Sequence, residues 1–110
     1  MRDRSMERRE PAYDLAEVRR AFSEGRFQST VRVLRHLDRR GWSKSTIGSC
    51  VASLTLADFH KSQRHLERPE AWLDIYKPVF RRERLYVKFT LLEDGRTYLV
   101  LSFCGDGEEH

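Results

Sequence analysis

The sequence predicts an α+β fold in which N-terminal helices pack on a C-terminal antiparallel β-sheet. Apolar residues recur at helical spacing as far as Leu54, and from Trp72 onward they alternate as in a strand. No apolar run approaches the roughly 20 residues of a membrane-spanning helix, so the helices belong to a water-exposed domain.

A chain of 110 residues suits one domain with one core. Residues 1–12 are expected to form a disordered, mixed-charge tail, 13–104 the domain, and 105–110 an acidic tail. Asp14 is placed to cap a first helix, with Glu17 three residues on in the capping-box position. Leu15, Val18 and Phe22 give that helix its apolar face, and Gly25 stops it. A second helix starts at Ser29 or Thr30 and runs through Val33, Leu34 and Leu37 to Gly41. Its other face carries Arg32, Arg35, Arg39 and Arg40. Ser45 or Thr46 caps a third helix with Ile47, Val51 and Leu54 inside. The small Gly48, Ser49 and Ala52 let it lie close to a neighbour, and Cys50 reads as a buried small hydrophobe. Thr55 and Asp58 repeat the capping-box pattern and open a short fourth helix through Leu56, Phe59 and Lys61.

Trp72 to Lys77 is aromatic and β-branched, and Pro78 marks a strand edge or its end. Arg84 to Leu92 alternates strictly: Leu85, Val87, Phe89 and Leu91 on one face, Arg84, Tyr86, Lys88 and Thr90 on the other. Thr97 to Phe103 is its partner. A three-residue loop, Glu93-Asp94-Gly95 with Gly95 left-handed, would pair Phe89 with Leu99, Val87 with Leu101 and Leu85 with Phe103. That register keeps the apolar residues together, whereas a two-residue loop would set Leu91 opposite Tyr98 and mix the faces.

Lysine and arginine total 21 against 17 aspartates and glutamates, a net charge of +4, with Asp106, Glu108 and Glu109 gathered at the C-terminus. A basic body without an amphipathic apolar face favours a polyanionic partner over a membrane. The plainer reading of the same arginines is a solvated helix surface. Cys50 and Cys104 have no zinc-type spacing, and their scarcity fits a reducing cytoplasm, the expected location. The N-terminus lacks the apolar stretch of a signal peptide. There is no Gly-rich phosphate loop, HExxH, nucleophile elbow or metal-ligand cluster, so neither a cofactor nor a metal is expected.

The open sheet face would display Arg84, Tyr86, Lys88 and Ser102, with Lys61 reaching it from the fourth helix. RNA can be cut with such a set and no metal. The 2′-hydroxyl loses a proton and attacks the adjacent phosphorus, charge builds on the non-bridging oxygens, and the leaving 5′-oxygen gains a proton. Fixed cations stabilise that charge, and one such donor is worth about 100- to 1,000-fold. Lys61 is the candidate for phosphate contact, against the plainer reading of a solvated helix-end lysine. Tyr86 is the candidate proton donor or stacking group, although tyrosine also suits half-exposed strands. Arg84, Lys88 and Lys77 are candidates for binding flanking phosphates. His65 lies one helical turn after Lys61, would share its face, and is the one histidine placed to bind RNA or act as acid or base, against the plainer reading of an incidental surface histidine; His60 projects elsewhere. Trp72 and Tyr76 read as packing residues.

The ordered segments Leu54-Thr55-Leu56-Ala57-Asp58-Phe59-His60-Lys61-Ser62, Trp72-Leu73-Asp74-Ile75-Tyr76-Lys77-Pro78, Leu85-Tyr86-Val87-Lys88 and Val100-Leu101-Ser102-Phe103 resemble the motility quorum-sensing regulator (MqsR) toxins. The resemblance spans about Asp14 to Phe103. It implies a RelE-like fold and the toxin half of a type II toxin–antitoxin pair. It also implies sequence-selective, ribosome-independent cleavage of single-stranded mRNA, with a helix-turn-helix antitoxin as partner. The family's site lysine falls on Lys61 and its tyrosine on Tyr86. The chain departs from the pattern at Leu73, where the family has glutamine, and at Cys104, where it has lysine. The reading is therefore a metal-free endoribonuclease, with a catalytically weakened RNA- or antitoxin-binding module of the same fold as the alternative.

Overall fold

The computed structural model describes residues 7–68 and 70–108. The order of elements is β1 (Glu7–Arg8), α1 (Leu15–Ser23), β2 (Phe27–Ser29), α2 (Val31–Arg40), α3 (Lys44–Ala52), a 3-10 turn (Leu56–Asp58), β3 (Phe59–Arg64), β4 (Trp72–Tyr76), β5 (Val79–Phe80), β6 (Glu83–Leu91) and β7 (Tyr98–Gly105). The α+β class holds. The sheet, however, is mixed and not purely antiparallel. Its order is β1-β3-β4-β6-β7-β2, with β5 paired to β6, and β2 runs parallel to β7. The three residues of β2 are too few to carry a strand signal of their own.

The helix ends follow local chemistry. Asp14 accepts the Glu17 amide at 3.2 Å, Thr30 accepts the Val33 amide at 3.2 Å, and Gly41 closes α2 in the left-handed region at φ 68°. The cap of α3 is Ser43, earlier than expected, because Thr46 serves three residues on and accepts the Ser43 amide. A methyl group built on Gly48 would stand 3.3 Å from the Phe22 carbonyl oxygen, so α3 does use its small residues to approach α1.

Val18 and Phe22 of α1, Val33 and Leu37 of α2, and Ile47 and Val51 of α3 bury one face of the sheet, meeting Tyr76, Leu85, Val87, Phe89, Val100 and Phe103. Leu34, expected inside, is 48% exposed. Phe22 anchors the core, stacked on Phe27 at 4.6 Å and tilted against Phe89 at 5.7 Å. Tyr76 is fully buried and stacks on Phe89, as a packing residue should.

Three further expectations are corrected. The fourth helix is a single 3-10 turn: Asp58 closes the capping box on Thr55 at 2.8 Å, and the chain then leaves as β3. His60 to Arg64 contains no apolar residue to hold a helix against the core, so the backbone takes its hydrogen bonds from the sheet. The β6–β7 register also differs. The ladder starts with Leu91 opposite Tyr98, because the Asp94 carboxylate gathers the Arg96 and Thr97 amides at 2.8 Å each and fixes a longer tip. A shift between Lys88 and Phe89 then makes Leu101 an extra residue on β7. Tyr98, Val100 and Phe103 consequently face the helices, and Lys88 pairs with Ser102. A bulge reconciled the faces, where the sequence had suggested a different loop.

The third correction concerns the tails. Positions 1–6 of the expected N-terminal tail lie outside the described residues, but Glu7 and Arg8 pair with Gln63 and Ser62 as an edge strand. The Ala12 and Tyr13 amides donate to the buried Asp74 carboxylate at 3.0 Å each, clamping the start of the domain to β4. At the other end Gly105 completes β7, and its amide donates to Glu108 at 2.9 Å. Positions 109 and 110 lie outside the described residues.

Candidate active site

The open sheet face is assembled by register. Lys61 of β3 pairs with Ile75 of β4, Ile75 with Lys88 of β6, and Lys88 with Ser102 of β7. Four strands thus contribute one transverse row, lysine, isoleucine, lysine, serine. Two strand spacings put the Lys61 and Lys88 backbones about 10 Å apart, a separation that long side chains can close on one phosphate. Ile75 is fully buried beneath the row, an apolar floor suited to lysine stems that carry their charge outward.

A second row lies one pleat along. Tyr86 pairs with Cys104, and Lys77, immediately after β4, places its ammonium 5.9 Å from the Tyr86 ring centroid. Lys77 also meets the Asp106 carboxylate at 3.4 Å. Arg84 continues the alternation of Tyr86 and Lys88, is exposed, and donates from Nη1 to the Lys77 carbonyl at 3.2 Å. The structure therefore brings Lys61, Lys77, Arg84, Tyr86 and Lys88 to one face. Lys61 arrives from a strand, not from the expected helix end.

His65 is not brought there. Four strand residues beyond Lys61 it stands about 13 Å away along the strand direction. It closes the end of the β3–β4 hairpin, its amide donating to the Ala71 carbonyl and its Nδ1 accepting the Glu67 amide.

His60, by contrast, had been set aside and belongs to the cluster. Phe59 pairs with Tyr76 and Lys61 with Ile75, so His60 is the extra residue of a β-bulge. Phe59 packs on the helix-side core, and Ser62 pairs with Asp74, whose carboxylate holds the residues before α1. The two residues between them, His60 and Lys61, therefore both emerge on the open face. Partial desolvation, then Lys77 and Lys61, push the imidazole pKa below its ordinary value, against a weaker pull from Asp106 and Glu7. A sequence signal existed: the run from His60 to Arg64 has no apolar residue, which argues against a core-packed helix.

Glu7 was missed as well. Its Oε2 lies 2.6 Å from Lys61 Nζ, and that lysine holds the Glu7 carboxyl below its usual range. Leu73 and Cys104, the two departures from the polar family pattern, both belong to this face and are buried, 7% and 3% exposed. Gln63 stands directly opposite Leu73, so an amide is present one strand away. Cys50 is remote from the face and inert, its thiol pushed up to about 12 by burial. Among the described residues, no three His, Cys, Asp or Glu side chains are arranged to hold a metal ion, and no helix is long and apolar enough to cross a membrane.

A mixed sheet with helices on one face and a lysine–tyrosine cluster on the other defines a small α+β domain with a cationic working surface. The family described as motility quorum-sensing regulator, toxin of MqsA, matches residues 10–105, and the chain belongs to it. The chain is also similar to the mRNA interferase toxin MqsR of Escherichia coli strain K12. The two are 28% identical over 98 residues, covering 89% of this chain and 97% of that protein.

Proposed function

We propose that this chain is a metal-free endoribonuclease that cuts single-stranded mRNA at selected sequences, independently of the ribosome, as the toxin of a type II toxin–antitoxin pair. The class of enzyme rests on family membership and on the mRNA interferase named above. The observation that carries the chemistry is the row from Lys61 to Ser102 with Tyr86 one pleat away. Lys61 holds the scissile phosphate and stabilises the charge that builds on its oxygens. Tyr86 donates a proton or positions the leaving group. Lys88, Arg84 and Lys77 bind flanking phosphates, and His65 a more distant one. Fixed cations together with imidazole and phenol suit general acid–base cleavage without a Lewis acid. The RelE-like assignment fits helices packed on one side of a sheet whose other face carries the basic residues. The partner is an antitoxin, in this reading a helix-turn-helix DNA-binding protein encoded beside the toxin, and the site of action is the cytoplasm.

One observation favours a second reading, a non-catalytic RNA-binding module. Leu73 and Cys104 make part of the working face apolar. The test is incubation of purified protein with a defined RNA in EDTA without ribosomes, followed by mapping of the ends. Discrete cuts with 5′-hydroxyl ends support the ribonuclease. Intact RNA with tight binding that falls steeply with salt selects the second reading.

A further inference from the structure

The cluster contains cations for the phosphate and a phenol for the leaving group, but the cleavage also needs a group to receive the 2′-hydroxyl proton. A base for that step has to be unprotonated at working pH, reach the face, and stand beside the group that holds the phosphorus. We propose that His60 is this catalytic base, placed next to Lys61 by the β-bulge in β3; the assignment rests on the ribonuclease reading above.

Three observations converge. First, the bulge sets two successive residues opposite the single residue Ile75, so the imidazole and the Lys61 ammonium share one site where a regular strand would put them on opposite faces. Bulges re-aim side chains next to active sites, and this one has a chemical outcome. Second, His60 is exposed to an incoming chain, whereas the buried residues flanking the bulge are committed to the core. Third, the charged groups facing it come from every neighbouring element: Lys61 beside it, Glu7 from β1, Lys77 after β4 and Asp106 after β7. Partial desolvation, with the two lysines outweighing the two carboxylates, disfavours the imidazolium, so the ring is unprotonated near neutrality and ready to accept a proton.

The step balances. The free imidazole nitrogen takes the 2′-hydroxyl proton as the 2′-oxygen bonds to phosphorus. The bond from phosphorus to the 5′-oxygen breaks, and that oxygen takes the Tyr86 phenolic proton. The products are a 2′,3′-cyclic phosphate and a 5′-hydroxyl, and solvent returns the proton from His60 to Tyr86.

The test is cleavage of a defined RNA by the full chain and by His60→Gln and His60→Ala, across the pH range in which histidine titrates. Binding is followed with a non-cleavable 2′-deoxy analogue. NMR titration of the four imidazoles, with the His60 signal assigned as the one lost in His60→Gln, gives the His60 pKa independently of activity. His60→Gln should slow cleavage about 100- to 10,000-fold with affinity for the analogue unchanged, and should remove the acid limb of the rate profile. The wild-type limb should match the NMR titration of His60, below the ordinary histidine value of about 6.5. Added imidazole should restore part of the His60→Ala rate, which a structural role would not allow. Wild-type rates in His60→Gln with the same acid limb would overturn the assignment while leaving the ribonuclease standing. A wild-type chain that binds but never cuts would remove both, so the two failures are distinct.

Discussion

Lys61 Nζ lies 2.6 Å from Glu7 Oε2, so the lysine proposed to hold the scissile phosphate is met by a carboxylate from the edge strand β1. The contact links the start of the chain to its chemistry. Exposed ion pairs of this kind are worth little in water, and an RNA phosphate can take the place of the carboxylate. In the proposed reading Glu7 competes with RNA for Lys61. Glu7→Gln should tighten binding of a non-cleavable RNA by about 2- to 5-fold at low salt, with the gain shrinking as salt is raised. Fluorescence anisotropy checks it; unchanged or weaker binding would mean that Glu7 orders the strand without masking the lysine.

The β5–β6 hairpin is closed by Arg81 and Arg82, both with positive φ, 53° and 68°. A two-residue loop of this hand prefers Asn-Gly, and each non-glycine residue held there costs about 1–2 kcal/mol. Arg81 lies over the Phe80 ring, 5.0 Å from its centroid, and the tip stands two residues from Arg84 of the open face. Replacing the pair with Asn-Gly should raise stability by about 1 kcal/mol and weaken RNA binding, lowering its salt dependence. Denaturant melts and salt-dependent binding read the two effects separately, and a destabilised variant would contradict the strain.

Phe89 is fully buried between Phe22, Tyr76 and Tyr98, with ring centroids 5.7 to 5.8 Å away. It joins the central strand of the sheet to α1. Phe89→Ala should cost about 3–5 kcal/mol, enough to unfold much of a small domain. Chemical denaturation followed by circular dichroism measures it, and a loss below about 1 kcal/mol would show that the core closes around the gap.

Helix signals were legible because caps and stops are local. Asp14, Thr30, Gly25 and Gly41 each mark an end through a hydrogen bond or a backbone conformation within a few residues. Tyr86 and Lys88 were legible from strict alternation along β6. The two bulges were not, because an extra residue is decided by the partner strand. His60 therefore looked averted, and the face of β7 was read in the wrong phase from Tyr98 to Leu101, ahead of the bulge. Strands β1 and β2, two and three residues long, exist only because longer strands offer them an edge. The ion pair of Glu7 with Lys61, 54 positions apart, follows from that pairing and has no sequence signal.

Cleavage of RNA by this face through Lys61 is tested most simply by comparing wild type with Lys61→Ala. Both proteins are incubated with the same defined RNA in EDTA, and their folds are compared by thermal melting. Because Lys61 is at the surface, the variant should melt within a few degrees of wild type while its cleavage rate falls about 100- to 1,000-fold, with growth arrest lost on expression in cells. A folded Lys61→Ala protein that cuts at the wild-type rate and still arrests growth would contradict the account.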